Sequence, residues 1–209
     1  MLDIIGTTLM IAIFAYAIGS IPFGLIFTQL GGAGDIRDIG SGNIGATNVL
    51  RTGSKKLAVL TLLFDAGKGA AAVYLASYWA GSTLASAASA IAAIMVVIGH
   101  CFPVWLKFKG GKGVATSLAV MAMIDLRLGG VFIAVWLLTA ALSRYSSLSA
   151  LLAVLSCAMA SVILIDAPAI HIAVITLGGI IFSRHHANIR RLLNGTETKV
   201  GTKSTSENR

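Results

Sequence analysis

Charge is what this sequence has least of. Only 11% of its 209 residues are Asp, Glu, Lys or Arg, where soluble globular chains carry about 25%. Long intervals contain none, and 56% of the chain is hydrophobic. That composition excludes an ordinary water-soluble domain and fits a bilayer, where each unpaired polar group costs several kcal/mol and a helix satisfies its own backbone. Cysteine is scarce: Cys101 and Cys157 both lie in apolar runs with neither CxxC nor metal-ligand spacing, so they read as small core residues. No cation precedes Arg37, so no cleaved signal peptide is expected. The loops hold no carboxylate or Cys/His cluster, so neither a metal nor another cofactor is implied.

What is present is a series of apolar runs, at 4–30, 57–80, 84–102, 114–124, 128–142, 148–165 and 168–183. A spanning helix needs roughly 17–25 residues. The fourth, fifth and seventh runs are therefore short, and either extend into their flanks or pack inside the bundle. The fourth and fifth could instead form a re-entrant pair around 125–127. The expected fold is an all-α polytopic membrane bundle of about seven transmembrane helices. Pro22 should kink the first. Residues 1–193 form one domain, and the Thr-, Lys- and Ser-rich tail 194–209 is expected to be disordered.

The cations are not spread evenly. Arg37, Arg51, Lys55, Lys56, Lys107, Lys109, Lys112, Arg144, Arg184, Arg190, Arg191, Lys199, Lys203 and Arg209 fall on one side of this topology. Only Arg127 falls on the other, and Lys68 lies within a run. Basic loops face the cytoplasm, so the N-terminus is expected outside and the C-terminus inside. The net charge of +8 sits in short loops with few aromatics, which argues against nucleic acid and for anionic lipid or an anionic substrate.

Three polar stretches interrupt the apolar pattern, all on the cytoplasmic side. In the first, Gly40-Ser41-Gly42-Asn43-Ile44-Gly45-Ala46-Thr47-Asn48-Val49-Leu50-Arg51, glycines let backbone N–H groups approach an anion. Ser41, Asn43, Thr47 and Asn48 add compact donors and acceptors, and Arg51 a planar fork for phosphate. Its G-x-G-x-x-G spacing is not a dinucleotide fingerprint, because no strand precedes it. The second begins at Gly99-His100 and ends in Lys109-Gly110-Gly111-Lys112-Gly113, opening an apolar helix. Loop amides, a helix N-terminus and Lys112 suit a phosphate there. The third is Arg184-His185-His186-Ala187-Asn188-Ile189-Arg190-Arg191, with Glu197 beyond it. If helix continues, 185 and 188 share a face, as do 184 and 188. It reads either as a basic flank or as part of a site.

Asp65 and Lys68 lie three apart within a run, so they read as a functional intramembrane pair or a structural one. The turn at Arg144-Tyr145-Ser146-Ser147 either borders a cytoplasmic cavity or anchors at the interface. Several cations converging at one face point to phosphorylated substrates. Either an enzyme or a transporter of a phosphorylated metabolite fits; a transporter calls for charged or broken-helix features near the midplane and often inverted repeats, and the clustering of polar residues at one interface favours the enzyme.

The segments GSGNIGATNVLR at 40–51, GHCFPVWLKFKGGKGVAT at 99–116 and RHHANIRRLLNGTE at 184–197 resemble, in order and spacing, the three signature motifs of the bacterial PlsY glycerol-3-phosphate acyltransferases. The likeness covers nearly the whole chain up to Glu197. It implies a multi-pass enzyme of phospholipid synthesis in the bacterial inner membrane, with its active site on the cytoplasmic side. It also implies transfer of an acyl group from acyl phosphate to the 1-hydroxyl of sn-glycerol 3-phosphate, giving lysophosphatidate and inorganic phosphate. Functional coupling to the enzyme that makes the acyl phosphate is implied as well. By motif, Ser41, His185 and Asn188 are expected to be catalytic. Gly40, Gly42, Asn43, Thr47, Asn48, Arg51, His100, Lys109, Gly110, Gly111, Lys112, Gly113 and Ser147 are expected to bind substrate. Asp65, Lys68 and Glu197 are expected to be structural. A Ser41 acyl-enzyme is the rival to direct attack. No His is followed by Asp five positions on, which sets the chain apart from the HxxxxD acyltransferases.

Overall fold

A computed structural model describes residues 2–201, and among these the regular structure is wholly helical. The helices are α1 (Leu2–Gly19), α2 (Phe23–Leu30), α3 (Ala46–Val49), α4 (Lys55–Cys101), α5 (Val114–Ile124), α6 (Leu126–Ser143), α7 (Ser146–Leu164), α8 (Pro168–Arg184) and α9 (His186–Leu193). Among the described residues four stretches are long and apolar enough to cross a bilayer: Ile4–Leu30, Lys55–Leu106, Leu126–Ser143 and Ser146–Leu164. The pair α8–α9, bent by 64°, would make a fifth.

The runs 57–80 and 84–102 were expected as separate spans, and the structure joins them in α4. Straight, its 47 residues would reach about 70 Å, more than twice a ~30 Å hydrocarbon core. It does not run straight. Gly81 adopts φ 67, ψ 175, a left-handed conformation open to glycine, and the chain folds back there. Asp65 on the first arm comes within 3.6 Å of His100 on the second; a straight helix would part them by about 50 Å. Helix α1 packs against both arms. Phe14 meets Trp79 edge-on at 4.9 Å, while Gly19 abuts the Val96 backbone and Gly99 abuts Tyr16, with no room for a Cβ at either glycine.

The break at Pro22 is sealed by neighbours, because proline cannot donate to the preceding turn and frees carbonyls there. Lys68 Nζ donates to Ile21 O at 2.8 Å and Trp105 Nε1 to Ser20 O at 2.7 Å. The inner seams are small: Ala72, Ala76, Ala92, Ala93, Ala153 and Ala173 are buried, as close packing of membrane helices requires. Large side chains such as Leu63, Leu138, Met159, Val162 and Ile163 point outward, a pattern suited to lipid rather than water.

Helix α5 has only 11 residues, about 16 Å, and cannot span alone. It starts deep instead. A Cβ at Gly113 would touch Val97, Cys101 and Ile181, so the segment before it lies level with the last turns of α4 and α8. At its far end the α5–α6 turn is tied to α7 by Arg127 Nη2, which donates to Leu164 O at 2.7 Å. Residues 194–201 were expected to belong to a disordered tail. The structure holds them against the bundle: Val200 N donates to Arg144 O at 2.8 Å and Arg144 Nη2 to Val200 O at 3.1 Å. The rest of that expected tail, 202–209, lies outside the described residues.

Candidate active site

The first polar stretch is a loop built around one side chain. Asn48 is 3% exposed. Its Nδ2 donates to Ile36 O (3.1 Å), Ile39 O (2.9 Å) and Asn43 O (2.8 Å), and its Oδ1 accepts from Ser41 N (3.0 Å) and Ser41 Oγ (3.3 Å). Asn43 Oδ1 accepts from Gly45 N at 2.9 Å. Both amides were expected to bind substrate; the structure occupies them in shaping the loop. Gly40 has φ 57, and a Cβ there would lie 2.6 Å from both Arg51 Cδ and Asn48 Oδ1. The bare glycine therefore lets Arg51 lie across the turn. Ser41, Gly42, Thr47 and Arg51 remain exposed.

The second stretch departs from expectation in its amides. Gly110 N donates to Cys101 O at 3.1 Å and Gly111 N to His100 O at 2.9 Å, so neither is turned toward a ligand. Their carbonyls are held by Arg184, through Nη2 to Gly110 O (3.0 Å) and Nε to Gly111 O (3.1 Å). The glycines allow this tight seat, since a Cβ on Gly110 would strike His100 O and one on Gly111 the His100 ring. The amides left for an anion are those of Val114, Ala115 and Thr116. They open α5 after Gly113 (φ 80) and have no intrahelical acceptor. Lys109 is exposed.

His100 was expected to touch substrate. It lies instead beneath the loop, 4% exposed, beside Asp65, which pairs with Lys68 at 2.8 Å across one helical turn. The three form a buried polar group that backs the loop and, through Lys68, closes the Pro22 break.

The third stretch does not continue straight. Helix α8 ends at Arg184, and His185 carries the 64° bend into α9. His185 is 2% exposed, with Nδ1 2.8 Å from Ile181 O. A carbonyl only accepts, so the neutral ring holds its hydrogen on Nδ1 and its lone pair on Nε2. Asn188 is buried, and its Oδ1 accepts from Lys112 Nζ at 2.6 Å. Its Nδ2 donates to Glu197 Oε1 at 2.6 Å. That carboxylate also accepts from Ser147 Oγ (2.7 Å) and Arg191 Nε (2.6 Å). Ser147, expected to bind substrate, is thus a support for Glu197.

Electrostatics join the three stretches. Burial pushes the Lys112 ammonium down to about 8; Glu197 opposes this, while the cations Arg191, Arg184 and Arg51 add to it. Arg51 therefore adds to the positive field at Lys112. Burial alone would raise the Glu197 carboxyl, but its bonds from Ser147, Asn188 and Arg191 outweigh that and hold it below the usual carboxylate range. Arg184 and Arg191 belong to the third polar stretch but were not among the residues expected by motif. In sequence nothing separates them from the neighbouring Arg190, because their function is set by what the bend brings them against.

Fold and site together define a polytopic helical membrane protein with a cluster of cations, suited to phosphate groups, at one end of its bundle. The family model described as Glycerol-3-phosphate acyltransferase matches residues 9–195, and the chain belongs to that family. It is 55% identical to the glycerol-3-phosphate acyltransferase of Brucella canis over 192 residues, 91% of this chain and 92% of that one. It is 51% identical to that of Mesorhizobium japonicum over 191 residues, 91% and 95% of the two chains. Among solved structures it resembles PlsY, an integral membrane glycerol 3-phosphate acyltransferase, in its glycerol 3-phosphate form. The TM-score is 0.87 at 36% identity, covering 93% of this chain and 96% of that one.

Proposed function

We propose that the chain transfers an acyl group from acyl phosphate to the 1-hydroxyl of sn-glycerol 3-phosphate, releasing lysophosphatidate and inorganic phosphate. The observation that carries this reading is the bond of Lys112 to Asn188, within the field of Arg184, Arg191 and Arg51 and beside the free amides of α5. Two phosphorylated reactants repel one another, and several cations offset that repulsion. Holding the pair with hydroxyl against carbonyl supplies roughly 7–11 kcal/mol of the barrier. Arg51 and Lys112 hold phosphates, Lys112 being fixed by Asn188; Ser41 and the α5 amides orient the donor and the developing oxyanion.

The attack is direct. A serine nucleophile needs a base within hydrogen-bond reach, and the partner of Ser41 Oγ is the amide oxygen of Asn48, which is no base. Acyl phosphate carries a good leaving group, so the glycerol oxygen bonds to the acyl carbon as the acyl–phosphate bond breaks. The hydroxyl proton goes to a phosphate oxygen, with His185 Nε2 as the other acceptor within the motif. On this reading the chain is a multi-pass protein of the bacterial inner membrane with about seven spans, its basic loops and its site on the cytoplasmic side.

Purified protein in detergent, given acyl phosphate and glycerol 3-phosphate, should release phosphate and lysophosphatidate stoichiometrically. No release would overturn the function. Radiolabelled acyl trapped on the protein, and lost in Ser41→Ala, would overturn direct attack.

A further inference from the structure

Glu197 lies outside the helices, on the segment that follows α9, yet its carboxylate is gripped from three sides. Ser147 Oγ, Asn188 Nδ2 and Arg191 Nε all donate to it at 2.6–2.7 Å. An asparagine amide fixed through its nitrogen is fixed at its oxygen too, since the group is planar, and that oxygen holds Lys112 Nζ. A flip of the Asn188 amide would set two donors against Lys112 and an acceptor against a carboxylate, so the anion selects the orientation.

We infer that Glu197 is a positioning residue for the reaction, acting through the Asn188 amide to hold Lys112 in place. The segment bearing it is clasped independently by the α6–α7 turn, through the paired Arg144–Val200 bonds, and by Thr196 N to Arg191 O at 2.8 Å. The carboxylate is therefore delivered to the site rather than recruited by it.

The charges around Lys112 come from four elements. Arg51 lies on the first loop, Arg184 at the end of α8, Arg191 on α9 and Glu197 on the following segment; the His185 ring sits at the bend. Glu197 is the anion of the set and the group that favours the charged form of Lys112 against burial and the three arginines. Removing its charge while keeping its shape should move the Lys112 titration to lower pH, by about one unit for a charge one amide away in a partly buried site.

This inference rests on the acyl-transfer reading for its kinetic consequence alone, because the Lys112 titration is read without turnover. The experiment is 13C-dimethylation of lysines in the purified full-length chain, with the Lys112 resonance assigned by its loss in Lys112→Arg and followed against pH. Glu197→Gln should lower the Lys112 midpoint by about one unit and move the alkaline limb of kcat/KM with it. Glu197→Asp keeps the charge and should keep the midpoint while raising KM. Arg191→Gln carries the opposite sign: it deletes a repelling cation and frees Glu197, so the midpoint should rise. A purely structural role predicts lower yield with the midpoint unmoved in the variants that fold. An unshifted midpoint in Glu197→Gln, or in Arg191→Gln should the first fail to fold, overturns the inference. A shifted midpoint with no phosphate release in wild type would instead overturn the reaction and leave the coupling standing.

Discussion

Gly111→Ala isolates the seat of the second loop. A Cβ on Gly111 would overlap Nε2, Cε1 and Cδ2 of the His100 ring. That ring is buried at 4% exposure and backed by the Asp65–Lys68 pair, so it is not a flexible tip able to swing aside. Overpacking against such a neighbour costs roughly 1–3 kcal/mol. Relief comes by lifting the loop, which breaks the 2.9 Å bond from Gly111 N to His100 O and loosens the Arg184 clamp. Lys112 is the next residue and moves with it. Misplacement of a positioning group by about 1 Å costs on the order of 10²-fold in rate. Phosphate release should therefore show kcat/KM down by about two orders of magnitude, with the melting temperature in detergent also lowered. Gly67→Ala and Gly179→Ala are the controls. Nothing lies within 4 Å of a Cβ at either position, and alanine is favoured over glycine in a helix by about 1 kcal/mol. Wild-type kcat/KM and melting in Gly111→Ala would refute the account of why two glycines precede Lys112.

Activity and stability should respond to alkaline pH in opposite senses. Lys112 falls to about 8 from a model-compound value of 10.5, so between those values the unfolded chain binds more protons than the folded one and stability rises with pH. Phosphate binding needs the charged form, so kcat/KM should fall over the same window; melting and turnover measured across pH 7.5–10 check both. Asn48→Ala removes the hub of the first loop and leaves the carbonyls of Ile36, Ile39 and Asn43 without its amide, at a cost of about 1–3 kcal/mol. It should abolish turnover while the protein still reaches the membrane, read by membrane yield against phosphate release. Lys68→Met strands the Asp65 carboxylate in the core, costing roughly 3–5 kcal/mol. The double variant Lys68→Met with Asp65→Leu should recover much of the lost melting temperature.

These predictions lean on side chains that sequence reading placed unequally well. The apolar runs marked the helices because a bilayer imposes a coarse rule that composition obeys. The three polar stretches marked one end of the bundle because chemistry on anions needs cations and small residues. What could not be read was direction. Asn48 and Asn188 look alike in a sequence, both asparagines beside a cation within a motif. One spends its amide on its own loop, while the other faces Lys112. The difference arises from Gly40 and Gly42, whose positive φ curls the first loop back onto Asn48, and from the bend at His185, which aims Asn188 at the second loop. His100 fell on the wrong side of the loop for a similar reason. The motif placed it at the end of the run 84–102 without saying which face of that arm it occupies. The fold-back at Gly81 sets it against Asp65, 35 residues earlier in the chain. A motif fixes which residues gather; which of them face the substrate follows from left-handed glycines and helix bends, and these are properties of backbone path rather than of residue type.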